Sequence, residues 1–422
     1  MEKRSVTIVT AVYPPEPVVS GRMAQDLATH LSQQGINVTV ISPQPSRPIG
    51  CDYGNLKNPK KHIVINDNGV EIIRLPSYSA PESRIMRRFR EGLSFGRYVC
   101  QYIKSQPQKP DALFVNAWPI VSQALILNYA KRKKIKVVLQ IMDVYPESLL
   151  IKLPRCMRSI TKRILTGIDK WTAQSATSIV VISEDMRRLY IEQRGIRDDK
   201  IVTINLWQDE SLFSCLPRRK EGCYAYAISE EKFTFLFLGN IGPVAGVEFL
   251  IQAFQRAQIR GAQLFIAGDG SSKASCLKLA ADLDLVNTQF LSDPDVRNTS
   301  LIQCIAHVCL LPVKPGAGLS SIPSKLIAYM LSAKPVLATV DSESETAKVI
   351  KAAGCGWVGQ PEDLNWLANM MGEVAILPAE ELEKIGEKGR QFCLGKYSKT
   401  SELEKLSTLI ISACPGANNL DV

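Results

Sequence analysis

Short runs of apolar and β-branched residues recur along the chain, each followed by a turn signal and then by a stretch whose apolar positions fall three and four apart. That alternation predicts strands that each feed a helix, hence parallel α/β architecture. The first run, Ser5 to Tyr13, predicts a strand; the loop PPEPVVSGRMAQ follows, and Met23, Leu27, Ala28 and Leu31 set the face of a helix that Gly35 ends. Asn37 to Ser42, Val70 to Leu75, Asp111 to Asn116, Val137 to Met142 and Ser178 to Ile182 continue the strands, and the Pro, Gly, Lys and Asn rich stretch 43–68 is a surface excursion. Patterning lapses around Trp207 to Glu231. At Phe233 a second alternation starts, with FTFLFLG, QLFIAG, VNTQFL, HVCLLPV and PVLATV as its strands. No short-period repeat is visible, yet both halves are stacks of βα units.

A length of 422 residues fits two domains, and 45% hydrophobic with 22% charged residues is ordinary globular composition. The uncharged stretch Ala112 to Ala130 is broken by Asn116, Pro119, Ser122, Gln123 and Asn128, so no transmembrane helix is expected. Eleven cysteines with no CxxC pair and no zinc-type spacing, and no signal-peptide pattern at MEKRSVTIVT, point to a reducing cytoplasm and to no metal. Net charge is +10, but it is unevenly placed: 31 basic against 19 acidic residues precede residue 216, and 20 against 22 follow. Within the basic half, Ile85, Met86, Phe89, Leu93, Phe95, Tyr98, Val99 and Tyr102 form an apolar stripe beside Arg84, Arg87, Arg88, Arg90 and Arg97. Lys131 to Lys136 and the run Lys152 to Lys170 are further basic stretches. Each alone reads equally as a solvated helix face; together they favour an anionic membrane surface as partner, with no nucleic acid.

Candidate chemistry concentrates between Leu310 and Val336, an apolar strand, a glycine-rich loop and an amphipathic helix. Gly316 and Gly318 permit tight turns, Ser320 and Ser321 stand at the helix N-cap, and Pro323 fits the first turn. A helix start leaves N–H groups unpaired at the positive end of its dipole, so a phosphate over Ser321 to Ser324 would be held there, with Lys314 and Lys325 flanking it. Plain turn chemistry explains the same letters. Two further glycine turns follow strands, Gly239-Asn240-Ile241-Gly242 and Gly268-Asp269-Gly270, and three such turns in one sheet suggest a nucleotide site. No GxGxxG follows the first strand, which counts strongly against a dinucleotide-dependent dehydrogenase. In the first half Asp143 and Glu147 lie just past a strand's carboxyl end, as acceptor-hydroxyl ligands or as the cap and first turn of a helix.

These stretches resemble a GT-B glycosyltransferase of family 4, in the bacterial surface-polysaccharide branch similar to colanic-acid and L-fucosamine transferases. The matching motifs are YPPEPVVSGRMAQDLATHLSQQGINVTVIS, DVYPES, VISEDM, KIVTINLWQDESLF, FLGNIG, GVEFLIQAF, FIAGDGS and SIPSKLIAYMLSAKPVLA. The resemblance implies two Rossmann-like domains facing a cleft: an acceptor domain over 1–210, with Gly21 and Asn116 on the acceptor side, a nucleotide-sugar domain over 211–395, and a helix within 396–422 returning to the first. It implies transfer with retention from a nucleotide-sugar, with UDP and an N-acetylated sugar expected, to a lipid-linked saccharide, needing no cofactor or metal. Catalytic roles fall on Asp143, Glu147 and Lys325; donor contacts fall on Gly239, Asn240, Gly242, Gly268, Asp269, Gly270, Lys314, Ser320, Ser321 and Ser324. The chain departs from the family where two glutamates are usual, with Ser320 and Ala328 in their places. Pro243 and Val244 replace a basic residue after GNIG, and Asn116 stands where relatives often have His. His30, His62 and His307 read as core or surface. A non-catalytic GT-B partner subunit is the rival reading; a sugar-nucleotide epimerase would have no use for the basic front half.

Overall fold

Buried strands and one-sided helices alternate through both halves of the chain, and a computed structural model describes residues 3–16, 18–47, 53–54, 62–80, 85–116, 120–144, 146, 155–213, 218–292, 298–316 and 322–416. Two units result, Met1–Asn205 with Thr400–Val422, and Leu206–Lys399.

The first unit runs β1 (Ser5–Thr10), α1 (Val19–Gln33), β2 (Asn37–Pro43), β3 (Ile63–Asp67), β4 (Val70–Leu75), α2 (Ile85–Ser105), β5 (Ala112–Asn116), α3 (Ile120–Lys133), β6 (Lys136–Ile141), α4 (Arg155–Ser175), β7 (Ser178–Val181), α5 (Glu184–Glu192) and β8 (Ile201–Thr203). Its sheet has the order β3-β4-β2-β1-β5-β6-β7-β8, parallel except for β3 against β4. The expected strand 5–13 stops at Thr10, because Ala11 to Tyr13 turn inward as a buried loop. The excursion before residue 68 contains β3, an exposed edge strand whose weak apolar alternation the sequence reading passed over.

The second unit runs α6 (Arg219–Ala225), β9 (Phe233–Leu238), α7 (Val247–Ala257), β10 (Ala262–Ala267), α8 (Lys273–Asp282), β11 (Thr288–Leu291), α9 (Thr299–Cys304), β12 (Val308–Pro312), α10 (Ser324–Leu331), β13 (Val336–Thr339), α11 (Glu345–Ala353), β14 (Gly356–Gly359), α12 (Leu364–Ala375) and α13 (Ala379–Lys396). Its sheet is wholly parallel, in the order β11-β10-β9-β12-β13-β14. Strand pleating splits the core: Phe235 and Phe237 pack with α7 and α12 on one face, Leu236 with α10 on the other. The last helix, α14 (Lys399–Ala413), begins at the second unit and passes into the first.

The units divide at Asn205 rather than 210 because Asp209 and Glu210 belong by their bonds to the second one. Glu210 accepts from the Ser398 hydroxyl at 3.1 Å and the Lys399 N–H at 3.0 Å, and Asp209 pairs with the Lys399 ammonium at 2.9 Å. From Thr400 the chain is held by the first unit, where the buried Glu402 accepts from Asn205 N–H at 2.8 Å. No described helix is long and apolar enough to cross a membrane.

In the first unit α4 and α5 are tied by a buried charge pair. The Asp169 carboxylate accepts from Arg194 Nε at 2.8 Å and from the Tyr190 hydroxyl at 2.9 Å, with both partners almost wholly out of water. Removing one charge from a buried pair strands the other, at about 3–5 kcal/mol, whereas replacing both by apolar groups is often nearly neutral. In urea unfolding of the first unit, Arg194→Met is therefore expected to lose several-fold more stability than the double change Arg194→Met with Asp169→Leu. Equal losses in the two variants would refute this account.

Candidate functional site

In the second unit the strand order reverses between β9 and β12, so the crevice beyond their carboxyl ends is where an open parallel sheet accepts a ligand. The ladder shows the opening directly. β9 pairs with β10 along its whole length, but with β12 only through Val308 with Phe235 and Cys309 with Leu236. Beyond Leu236 the two strands part, and the buried Tyr329 of α10 fills the gap: its hydroxyl accepts from Leu238 N–H at 2.9 Å and faces the carbonyls of Leu238 at 3.2 Å and Leu310 at 3.4 Å.

The glycine turns after β9 and β10 lie against each other in this crevice. Gly239 N–H donates to Ala267 O at 2.9 Å, Ile241 N–H to Asp269 O at 2.8 Å, and Ser272 N–H back to Ile241 O at 3.0 Å. Gly268 and Gly270 have φ of 150° and 156°, and a Cβ on them would stand 1.9 Å from Gly239 O and 2.3 Å from Ile241 O. Only glycine fits either position. Their presence is thus explained by the packing of one loop on the other, which in turn shapes the Gly239–Gly242 backbone. Asn240 is exposed at the tip of that turn, and Asp269, also exposed, pairs with Lys273 at 2.8 Å.

Helix α10 begins later than the sequence suggests. Ser324 is its first residue and Pro323, at φ −60° and ψ 131°, is its N-cap, with no side chain capping it. The residue before a proline is driven out of the helical region, so the buried Ile322 blocks an earlier start and Ser320 or Ser321 is not the cap. Ser320 and Ser321 themselves lie outside the described residues, as does Gly318. The N–H groups of Ser324 and Lys325 have no acceptor among the described residues.

Lys325 is the centre of the arrangement. Its ammonium lies 4.3 Å from the centre of the Phe237 ring and so close to Gly239 that a Cβ there would be 3.2 Å from Nζ. No carboxylate or carbonyl among the described residues pairs with it, and burial lowers its pKa to about 8. An incompletely compensated cation, an aromatic face and open helix-start N–H groups are together an arrangement that can receive an anion. Lys314 is exposed on the loop after β12, its N–H on Val244 O at 3.2 Å, and the next turn is fixed by Asp341, which accepts from Gly316 N–H at 2.9 Å. The structure thus brings together Gly239, Asn240, Gly242, Gly268, Asp269, Gly270, Ser324 and Lys325. Sequence reasoning missed Phe237 and Tyr329. Tyr329 had a legible signal, a lone hydroxyl in the aliphatic run LIAYML, four residues from Lys325.

In the first unit the residues assigned to the acceptor side are placed differently from one another. Gly21 is buried in the first turn of α1, where a Cβ would come within 3.3 Å of Tyr13 Cα, so its role is close packing of helix on loop. Asn116 is buried at the end of β5 with its amide 3.3 Å from Met142 Sδ. Asp143 is exposed just after β6; Glu147 lies outside the described residues. The loops at this edge are held by two buried charges that the sequence reading did not single out. Arg74 donates to Ser42 Oγ at 2.8 Å and to the carbonyls of Pro43, Tyr13 and Pro14, while Glu16 accepts from the N–H groups of Ser46 and Arg47 at 2.9 and 3.0 Å. Burial raises the Glu16 carboxyl and lowers the Arg74 guanidinium. His307 is a satisfied, half-buried residue: Nδ1 accepts from Thr234 N–H at 2.9 Å, the ring stacks on Phe233, and burial lowers its pKa to about 4.

Residues 20–207 match the family described as "Glycosyl transferase 4-like domain", and residues 224–392 match "Glycosyl transferases group 1". The chain is 27% identical, over 71% of its length and 72% of the other, to a Pseudomonas aeruginosa protein named as a probable glycosyltransferase, WbjE. It is 21% identical, over 87% and 91%, to an Escherichia coli (strain K12) protein, WcaI, whose name places it in colanic acid biosynthesis as a glycosyl transferase. Anabaena HepE, solved in complex with UDP and glucose, shares the fold with a TM-score of 0.70 over 96% of this chain and 99% of that one, at 13% identity. Two successive glycosyltransferase domains on two parallel α/β units place the chain among the GT-B glycosyltransferases of family 4.

Proposed function

We propose that the protein is a retaining glycosyltransferase that moves an N-acetylated sugar from a UDP-sugar to a lipid-linked oligosaccharide, in the assembly of a cell-surface polysaccharide. The observation that carries this reading is the Lys325 ammonium, held beside Phe237 at the β9/β12 switch point with no carboxylate to neutralise it among the described residues. Departure of a nucleoside diphosphate builds charge on its β-phosphate, and a preorganised cation with open N–H groups stabilises that charge where water is excluded. Lys314, exposed on the loop after β12, would supply a second cation. Asp143 or Glu147 would orient the acceptor hydroxyl, the departing phosphate oxygen taking its proton; no enzyme nucleophile and no metal enter the scheme. The name of the WcaI relative supports the pathway class, and the UDP in the HepE structure supports the donor class.

The acceptor's lipid fits the outer faces of α2 and α4. Both pack on α3, so they lie on one side of the sheet. Met86, Phe89 and Tyr98 are exposed on α2 beside Arg87, Arg90 and Arg97, and Ile160, Ile164 and Trp171 on α4 beside Lys162, Arg163 and Lys170. Exposed apolar groups interleaved with cations suit the inner, anionic face of a cytoplasmic membrane.

Turnover of UDP-sugars with a polyprenyl-diphosphate-linked saccharide tests the reading directly. Lys325→Ala is expected to lower kcat about ten- to a hundredfold and to raise the donor KM less, since a charge-assisted bond contributes about 1.5–3 kcal/mol and this one strengthens as the leaving group departs. The wild-type kcat/KM should fall as pH rises through about 8, where the free protein's lysine loses its proton, and Lys325→Arg should move that fall upward. A protein that binds UDP-sugar but turns over none of them would instead be the non-catalytic partner subunit.

For the membrane, sedimentation with vesicles should show binding to anionic lipid that weakens with salt, each basic residue near the surface contributing about 1 kcal/mol. Changing Arg87, Arg90, Lys162 and Arg163 to Ser should abolish it. Equal binding to neutral and anionic vesicles would contradict the assignment of this face.

A further inference from the structure

We infer that Tyr329 is the positioning residue of the donor site, its hydroxyl replacing the missing strand partner of Leu238 and thereby setting where the Lys325 ammonium stands. This rests on Lys325 being the group that meets the donor diphosphate.

The geometry starts from the sheet. A parallel strand's backbone groups need a neighbour on each side, and β9 loses its β12 neighbour after Leu236. Leu238, the half-buried last residue of β9, would then carry an N–H and a carbonyl with no ladder partner on that side. Tyr329 supplies both: its oxygen accepts from the N–H at 2.9 Å, and its single proton is shared between the carbonyls of Leu238 at 3.2 Å and Leu310 at 3.4 Å. One hydroxyl thus ties the two parting strands and the helix behind them.

The consequence runs forward along both chains. The residue after Leu238 is Gly239, with φ of 149°, whose missing side chain leaves the space that Lys325 Cε and Nζ occupy. On α10, Lys325 is four residues before Tyr329, hence one turn nearer the helix start and on the same face. Anchoring Tyr329 to Leu238 therefore fixes the rotation and axial position of α10 against the turn at Gly239, and with them the 4.3 Å approach of the ammonium to the Phe237 ring. Phe237 belongs to the opposite face of the sheet from α10, so this approach exists only where β9 and β12 part. Tyr329 touches no reacting atom; it acts through Lys325.

The test is a double-mutant cycle in the full chain, read as steady-state turnover of UDP-sugar with melting temperatures alongside. Tyr329→Phe is expected to lower kcat about three- to tenfold, the size of one ordinary hydrogen bond, with the donor KM changed less. That loss should vanish on the Lys325→Ala background, because a displaced ammonium costs nothing where there is none. Phe237→Leu, which leaves the hydroxyl and its backbone contacts in place, serves if Tyr329→Phe does not fold, and should show the same split and the same non-additivity. A lowered melting temperature with normal turnover in Tyr329→Phe, or an equal loss with and without Lys325, overturns the inference while leaving the proposed function intact. Normal turnover in Lys325→Ala overturns both, and is seen without touching Tyr329.

Discussion

The second unit depends on one unfavourable contact: a lysine ammonium held largely out of water with an aromatic face, and no carboxylate among the described residues, beside it. Desolvation alone lowers its pKa to about 8, so the fold keeps this charge at a cost that packing elsewhere offsets. Its surroundings explain how. Tyr329 closes the split in the sheet below it, Gly239 leaves the space its side chain occupies, Gly268 and Gly270 let the neighbouring loop pack on that turn, and Pro323 sets the helix start that carries it. Each of these is a local irregularity with a single common result, a cation aimed at the crevice of a parallel sheet.

The linkage sign follows. Between about pH 8 and the ordinary lysine range the unfolded chain holds a proton that the folded one has released, so stability contributed by this site rises with pH there, opposite to the fall expected in catalysis. An anionic ligand bound beside it would favour the charged form and draw the proton back, linking binding to protonation.

Much of the fold was legible because parallel strands buried on both faces read as unbroken apolar runs, as FTFLFL and HVCLLP do, and because glycine or proline punctuates each unit. β3 escaped because an exposed edge strand has no buried period to show. At the site, Lys325 and the glycine turns were legible by type and position, but their reasons were not. That Gly268 and Gly270 answer to carbonyls of a neighbouring loop needs the loops side by side, and the helix start shifted because proline's effect on Ile322 outweighs serine's preference for the cap. Arg74 was visible as a charge in the strand VEIIRL, yet its four acceptors come from two other segments, at Tyr13 and Pro14 and at Ser42 and Pro43, that only folding brings to it.

The central claim is that the Lys325 ammonium is the receptor of the donor diphosphate, and proton-linked calorimetry reads it directly. UDP binding at pH 8.5, measured in buffers of different ionisation enthalpy, should take up most of a proton, because a lysine of pKa about 8 is mostly neutral there and the bound anion recharges it. At pH 6.5 uptake through this lysine should be absent, and Lys325→Ala should abolish it at pH 8.5. Binding of UDP to the wild-type protein at pH 8.5 with no proton uptake, or with the same uptake in Lys325→Ala, would contradict the account.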